Sequence, residues 1–563
     1  MGLVGASAIR ANEDSGQSES IIRWISTAAI LFSLALQAWL IFVQEFNWDE
    51  FFFLGFVHDY LRGEMNTALQ TIHVHIFAPL AGLPGNEVEQ IIVGRLVMLT
   101  LEAVTFAALY GLFRLWAGRS SALLALALYA LMPMTLQHGA SFRTDPLALA
   151  LAMAALAWFA RAPQNWKSAV AIGLLLALAV MVTVKVIFFA PAFAGVALWR
   201  MAKQSAGKPL FLRIGGIGVS AGLMLLLIYG WHQASLAAAT VSDSSTMLQT
   251  AAQKTLFDTQ FFPRLDVLID SFRGAPVQWW LLLAAVIALS AALLQGRDRP
   301  VAGAVLLCAA PLACLVIYRN AYPYFMPFIL APAFAAVAWF FESRRWSAGL
   351  QAILLAAVLG ITAFNLERIA ARGQEKQRAV ISAVHAIFPE PVSMIDRSHL
   401  ISTFPKRGFF MSTWGMSKYR EGKPIFARIL DREAVPLLLL DSPVLADAVG
   451  AGAPEEPRLL DEDRAVLAGN YIPHWGPIWV AGKHVSVSPR DGTFEIRVPG
   501  PYTLEGQQVL LNGRPIAPGQ TVDLSRGLHR ISSSSIGLVT LRWGRHLSRP
   551  MGAPPDLPLF EGF

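Results

Sequence analysis

Apolar runs of bilayer length recur along the first two thirds of this 563-residue chain, and they exclude a soluble fold for that part. A helix that crosses hydrocarbon needs roughly 17–25 mostly apolar residues. Runs that approach or meet this length lie at 21–43, 91–113, 122–137, 146–160, 169–184, 186–199, 214–231, 277–294, 301–318, 324–341 and 348–364, about eleven in all. Hydrophobic residues are 55% of the chain, charged residues 15%, and mean hydropathy is +0.50. The class is an α-helical polytopic membrane protein. The first run is too long for a signal-peptide core and reads as a retained helix, while the polar residues 1–20 before it read as a disordered cytoplasmic tail.

The 45 Lys and Arg outnumber the 38 Asp and Glu. Most basic residues of the first two thirds sit in short loops between apolar runs, where they set topology, so nucleic acid is not an expected partner. Arg114 with Arg119, Arg161 with Lys167, the group Arg200, Lys203, Lys208 and Arg213, Arg297 with Arg299, and Arg344 with Arg345 all fall on one side. By the positive-inside rule that side is cytoplasmic and holds the N-terminus. For both ends of 169–199 to face the cytoplasm, this stretch must be two spans or a re-entrant pair of half-length helices. The opposite side receives the loop 44–90, the turn 141–145, the loop 233–276 and everything after about residue 367.

That external side gathers the residues able to do chemistry. Asp49 and Glu50 lie just past the first run, where carboxylates near lipid need water or a cation; a helix N-terminal pair that complements the dipole is the structural alternative. Residues 51–61 read as a helix lying in the membrane interface. His73 and His75 are spaced i,i+2, which suits an extended segment with both rings on one side. Without a third ligand they make a poor metal site, which leaves substrate hydrogen bonding or interfacial polarity. The turn Arg143-Thr144-Asp145-Pro146 opens the fourth run, with proline favourable in the first turn and Asp145 in a position to cap it. A guanidinium at the depth of Arg143 wants a phosphate or carboxylate. Lys185 can snorkel to the interface or bind a lipid phosphate. Arg319, Tyr322 and Tyr324 join two runs on the same side, as phosphate and substrate contacts or as interfacial belt residues.

These motifs, in this order and on this membrane side, resemble the GT-C glycosyltransferases that use polyprenyl-phosphate sugars. The likeness is to the branch with the protein O-mannosyltransferases and the lipid A aminoarabinose transferase. Asp49-Glu50 matches the branch's acidic pair after the first membrane helix, and Arg143-Thr144-Asp145-Pro146 matches its second polar turn. Thr183-Val184-Lys185 stands where the branch has a Thr-Lys-Gly-like element, and His73-Val74-His75 with Pro79 loosely echoes its His/Lys-Pro-Pro segment. The resemblance spans roughly 21–364. It implies an inverting transfer of a hexosyl or pentosyl group to an acceptor hydroxyl, with no cofactor and no obligatory divalent metal. Asp49 would be the general base, and Glu50 and Asp145 its support. Arg143, Lys185 and Arg319 would hold the phosphate, with His73, His75, Tyr322 and Tyr324 about the substrate. The implied partners are a polyprenyl-phosphate sugar donor, a glycan, lipid or protein acceptor, and membrane lipids. The implied location is the bacterial cytoplasmic membrane, with the C-terminal region outside.

Past residue 366 the chain turns polar. Residues 367–485 read as an external α/β domain with a buried parallel strand at 437–440, and 486–563 as a β-sandwich with a hairpin at Asn512-Gly513. The two cysteines, Cys308 and Cys314, lie in one apolar run, so this region folds without disulfides. A transporter or flippase of a lipid-linked sugar is the rival reading. Against it stand the one-sided charges, the lack of an internal repeat and the large external region.

Overall fold

The computed structural model describes residues 2–65, 71–163, 165–203, 208–236 and 261–561. Two compact units divide the chain. The first comprises Met1–Gln44, Tyr60–Leu80 and Ile92–Ala371; the second comprises Glu45–Asp59, Ala81–Ile91 and Arg372–Phe563.

The first unit is a helical bundle and a multi-pass membrane domain. Among the described residues, seven helices are long and apolar enough to cross a bilayer: Glu19–Val43, Glu87–Phe113, Val184–Lys203, Ile214–Ser235, Pro276–Leu294, Arg299–Val316 and Ala348–Ala370. Shorter apolar helices include Arg119–Ala130 and Trp166–Val182. Residues 2–20, expected as a disordered tail, continue the first helix, Gly2–Val43; they contain no proline to stop a helix propagating back from the apolar span.

Proline and extended residues explain where several expected runs are interrupted. The run 122–137 ends at Ala130 and restarts at Pro133, which occupies the first turn of Pro133–His138. The run 324–341 becomes Phe325–Leu330 and Phe334–Arg344 on either side of Pro332. The ambiguous stretch 169–199 is two helices broken at Thr183, which is extended at φ −159° and ψ 136°. Its first half packs on Thr144–Arg161 and Lys208–Ser235, its second on Arg299–Ala309. That second contact is tight because Gly195 has no side chain: a Cβ there would lie 2.7 Å from the Ala304 carbonyl oxygen. Small residues at such crossings let membrane helices approach closely.

The second unit is built on two sheets. Its strands are β1 (Met394–Ile395), β2 (Leu437–Leu439), β3 (Tyr471–Trp475), β4 (Ile478–Val487), β5 (Gly492–Ile496), β6 (Gly500–Glu505), β7 (Val509–Leu511), β8 (Arg514–Ile516), β9 (Thr521–Leu524), β10 (Gly527–Ser532) and β11 (Gly537–Trp543). One sheet runs β1-β2-β4-β11-β6-β9 with β3 also on β4, and the other runs β5-β10-β7-β8. β1 and β2 are parallel, as the apolar run at 437–440 implies. The β7–β8 hairpin turns at Asn512 and Gly513, both at positive φ (50° and 79°), as a tight two-residue turn requires. Strand β4 pairs with β2 through Val480 and with β11 through Val487. The sequence boundary at 485/486 therefore falls inside one strand shared by the α/β part and the sandwich.

Candidate active site

In the first unit, helix Thr144–Arg161 starts after Arg143, whose extended backbone (φ −134°, ψ 169°) turns the chain into it. Asp145 was read both as a candidate cap of this helix and as support for the base. It lies instead in the first turn, and the capping position belongs to Arg143, which makes no side-chain cap bond. The Asp145 carboxylate is thereby free of the backbone and turns to cations. Its Oδ1 accepts from Lys185 Nζ at 2.6 Å, and its Oδ2 lies 3.7 Å from Arg143 Nε. The Lys185, Asp145 and Arg143 side chains are 15%, 3% and 3% exposed. Lys185 is presented by the 3₁₀ turn Val184–Phe189, whose start is capped by the Thr183 hydroxyl accepting from Lys185 N at 3.4 Å.

Tyrosines complete the group. The Arg143 guanidinium lies 3.4 Å from the centre of the Tyr324 ring, and Lys185 Nζ lies 5.0 Å from it. Tyr322 stacks on Tyr324 at 5.9 Å and 22°, and the Arg264 guanidinium lies 4.0 Å from the Tyr322 ring. Two stacked rings thus lie between Arg143 and Lys185 on one side and Arg264 on the other, each cation facing an electron-rich ring surface. Arg264 escaped the sequence reading because it is one basic residue in a long loop, with no motif around it. Arg319 is exposed on the turn that carries both tyrosines. Arg143, Asp145 and Lys185 together sum to one net positive charge in a buried place, which suits an anion with oxygens to share.

The two histidines behave differently from expectation. The segment Thr71–Phe77 is helical, not extended, so the two side chains point to opposite sides instead of one. His73 is fully buried against Phe77 and Phe142, with ring centres 4.6 and 5.2 Å away. His75 packs on Trp231 at 4.0 Å, and its Nε2 lies 2.9 Å from Nδ1 of His232. Alternation over three residues cannot separate a strand from one helical turn. Among the described residues, no three His, Cys, Asp or Glu side chains gather as around a metal ion.

Asp49 and Glu50 begin helix Trp48–Arg62, and both belong to the second unit. Asn47 Oδ1 accepts from Asp49 N at 2.9 Å, while Glu50 Oε2 accepts from Asn47 N at 2.8 Å. This reciprocal arrangement is a capping box. Glu50, fully buried, therefore serves the helix start, whereas the Asp49 side chain is partly exposed. The chain enters this helix through Phe46, whose N and O bond to the Gln377 amide at 2.9 Å each. The expectation of an interfacial helix at 51–61 is corrected here: Phe51, Phe53, Leu54, Phe56 and Val57 are buried in protein, and Phe52 stacks on Phe410 at 3.9 Å. An apolar helix face does not itself say whether lipid or a protein core will cover it. The sequence reading also missed Arg397, whose guanidinium lies 3.5 Å from the Trp48 ring centre.

Residues 77–229, which include Arg143, Asp145 and Lys185, match the family model for dolichyl-phosphate-mannose-protein mannosyltransferase. Three solved structures align over most of the chain. ArnT from Cupriavidus metallidurans in the apo state aligns with a TM-score of 0.51 and 15% identity over 75% of this chain and 94% of that one. This protein shares the fold of that ArnT structure. The same ArnT bound to undecaprenyl phosphate aligns with a TM-score of 0.50 and 14% identity, covering 76% and 94%. The Archaeoglobus fulgidus oligosaccharyltransferase in complex with Zn and sulfate aligns at 0.49 and 12% identity, covering 82% and 72%. No curated protein sequence matches the chain. The family match, which takes in Arg143 and Lys185 but not Asp49, and the two ArnT superpositions agree with the resemblance drawn from the sequence.

Proposed function

We propose that the protein is an inverting glycosyltransferase that moves a sugar from a polyprenyl phosphate to an acceptor hydroxyl. The observation that carries this reading is the buried group of Arg143, Asp145 and Lys185 on Tyr324, within the segment that matches the mannosyltransferase family. A lipid phosphate brings negative oxygens to the two cations, while Asp145 keeps them apart and oriented when the site is empty of phosphate. Tyr322, Tyr324 and Arg264 extend the same wall, and Arg319 adds a solvent-side cation.

In the reaction the acceptor oxygen forms a bond to the anomeric carbon as the bond from that carbon to the phosphate oxygen breaks. The electron pair leaves with the phosphate, whose growing charge Arg143 and Lys185 stabilise. The hydroxyl proton passes to Asp49 as general base, and Glu50 holds the start of the helix that carries it. A polyprenyl phosphate is a weakly basic leaving group, so the scheme needs neither a general acid nor a cofactor or divalent metal. The loop charges favour chemistry on the external face, and the resemblance favours a bacterial cytoplasmic membrane as the location. The acceptor is a glycan, lipid or protein.

The test uses the full-length protein in liposomes with a radiolabelled polyprenyl-phosphate sugar and membrane extract as acceptor source. Lys185→Met should reduce transfer by at least ~10²-fold and weaken retention of undecaprenyl phosphate. Asp49→Asn should abolish transfer but keep that retention. Full transfer by either variant contradicts the residue's role.

A further inference from the structure

Trp48, the residue before the proposed base, carries a cation over its ring. β1 and β2 run parallel, and the loops leaving their C-terminal ends carry Asp396 to Met411 and Asp441. Functional groups in α/β sheets concentrate at such ends. The loop after β1 is fixed along its length. Asp441 accepts from Arg397 N at 2.7 Å, Ser398 N at 2.8 Å and Ser398 Oγ at 2.6 Å. Asp396 accepts from Leu400 N at 2.7 Å and pairs with Lys406 Nζ at 2.6 Å. The same loop is bolted to the helix that begins at Trp48. Ser402 Oγ donates to Phe51 O at 2.9 Å, Phe410 stacks on Phe52, and the His399 ring lies over Gly55, where a Cβ would come within 2.1 Å of Nδ1.

This scaffold holds one of its cations over Trp48, the residue before Asp49: the Arg397 guanidinium lies 3.5 Å from the ring centre, and its Nε donates to Met411 O at 3.2 Å. Burial lowers the Arg397 pKa to about 10, and the neighbouring charges of Asp441, Asp49 and Glu455 oppose that fall. A guanidinium held by stacking, a carbonyl and a bonded loop loses little further freedom when it faces a carboxylate, unlike a flexible surface pair.

We propose that Arg397 is a positioning residue for Asp49: its fixed positive charge orients the carboxylate and keeps it ready to accept the proton. The inference rests on the proposed role of Asp49 as base. Arg397 touches neither donor nor acceptor and acts through Asp49.

The experiment compares Arg397→Gln, which keeps an N–H donor at the Nε position for Met411 O but loses the charge and the rest of the guanidinium, with Arg397→Lys, which keeps charge and loses the planar fork. Steady-state transfer is measured in liposomes from pH 5.5 to 8, with thermal unfolding of each variant. Arg397→Gln should lower kcat by about 10²-fold with little change in KM, and its deficit should widen as pH falls. Arg397→Lys should recover about tenfold of that loss, because the charge matters more than the loop bond. Equal kcat for the two variants, a deficit independent of pH, or an effect on KM alone overturns the proposal and leaves Arg397 as a loop staple. Asp49→Asn separates the two ideas. Retained transfer by that variant removes the base itself. An inactive Asp49→Asn beside a fully active Arg397→Gln removes only the part given to Arg397.

Discussion

Replacing Asp145 by alanine tests whether the buried cations need their carboxylate. Lys185 Nζ lies 2.6 Å from Asp145 Oδ1, and these side chains are 15% and 3% exposed, so solvent screens the pair weakly. Arg143 Nε adds a second attraction at 3.7 Å. Removing one member of a buried ion pair costs about 3–5 kcal/mol, because the remaining charge keeps its desolvation penalty. Asp145→Ala should therefore lose stability in that range. Lys185→Met in the same background should recover much of it, because methionine fills the volume without charge. Chemical unfolding in lipid–detergent micelles of the wild type, both single variants and the double variant gives the coupling directly, with about 2–3 kcal/mol expected for groups in contact. A coupling below about 0.5 kcal/mol would refute the reasoning, for Lys185 would then be indifferent to Asp145. Undecaprenyl phosphate supplies a second arm: it should restore part of the stability of Asp145→Ala by bringing negative charge back to the two cations.

Three further outcomes follow from other parts of the structure. Asn47→Ala removes the side-chain oxygen that accepts from Asp49 N and should cost about 1 kcal/mol in unfolding experiments, while the bond from the residue 47 N–H to Glu50 remains. Burial lowers the His385 pKa, but the hydrogen bond to Glu87 at 2.9 Å and the charges of Glu87 and Glu89 raise it more, to a net value above the ordinary 6.5. The stabilisation is thus complete below pH 6.5 and lost as pH rises through the elevated value, so His385→Gln should flatten unfolding midpoints across that window. Finally, Ser534 is exposed in the turn before β11, whereas Cys308 and Cys314 are buried. Ser534→Cys should react with a membrane-impermeant thiol reagent in intact spheroplasts; protection there, with labelling after lysis, would reverse the membrane orientation.

Features set by local pattern were legible in the sequence. Apolar length identified the membrane unit, the Asn512-Gly513 pair marked its hairpin, and the Leu437 run marked a buried parallel strand. The Arg143 turn was found because charges are conspicuous among apolar residues. Part of what could not be read depends on partners far away in the chain. Asp145 stood between cap and functional group in the sequence, and only Lys185, 40 positions later, shows where its carboxylate goes. Glu50 did have a local signal, Asn47 three residues earlier, but the acidic pair drew the reading away from that capping-box pattern. His73 and His75 sit on a segment too short for periodicity to declare itself. Arg264 and Arg397 have no motif at all and gain meaning only from the rings of Tyr322 and Trp48.

The bond between Phe46 and Gln377 joins residues 331 positions apart. A ribosome adding 5–20 residues per second makes the second partner about 20–70 s after the first. For that interval the helix bearing Asp49 has been synthesised without the elements that bury its phenylalanines. The first loop must therefore wait outside its final packing, with apolar surface uncovered, until the chain beyond Arg372 emerges. Premature termination anywhere after the membrane helices would leave the bundle present and the proposed base unsupported. The order of synthesis delays assembly of the helix that carries the proposed base to the last stage of biogenesis, and during that delay chaperones and proteases have their opportunity to act on it.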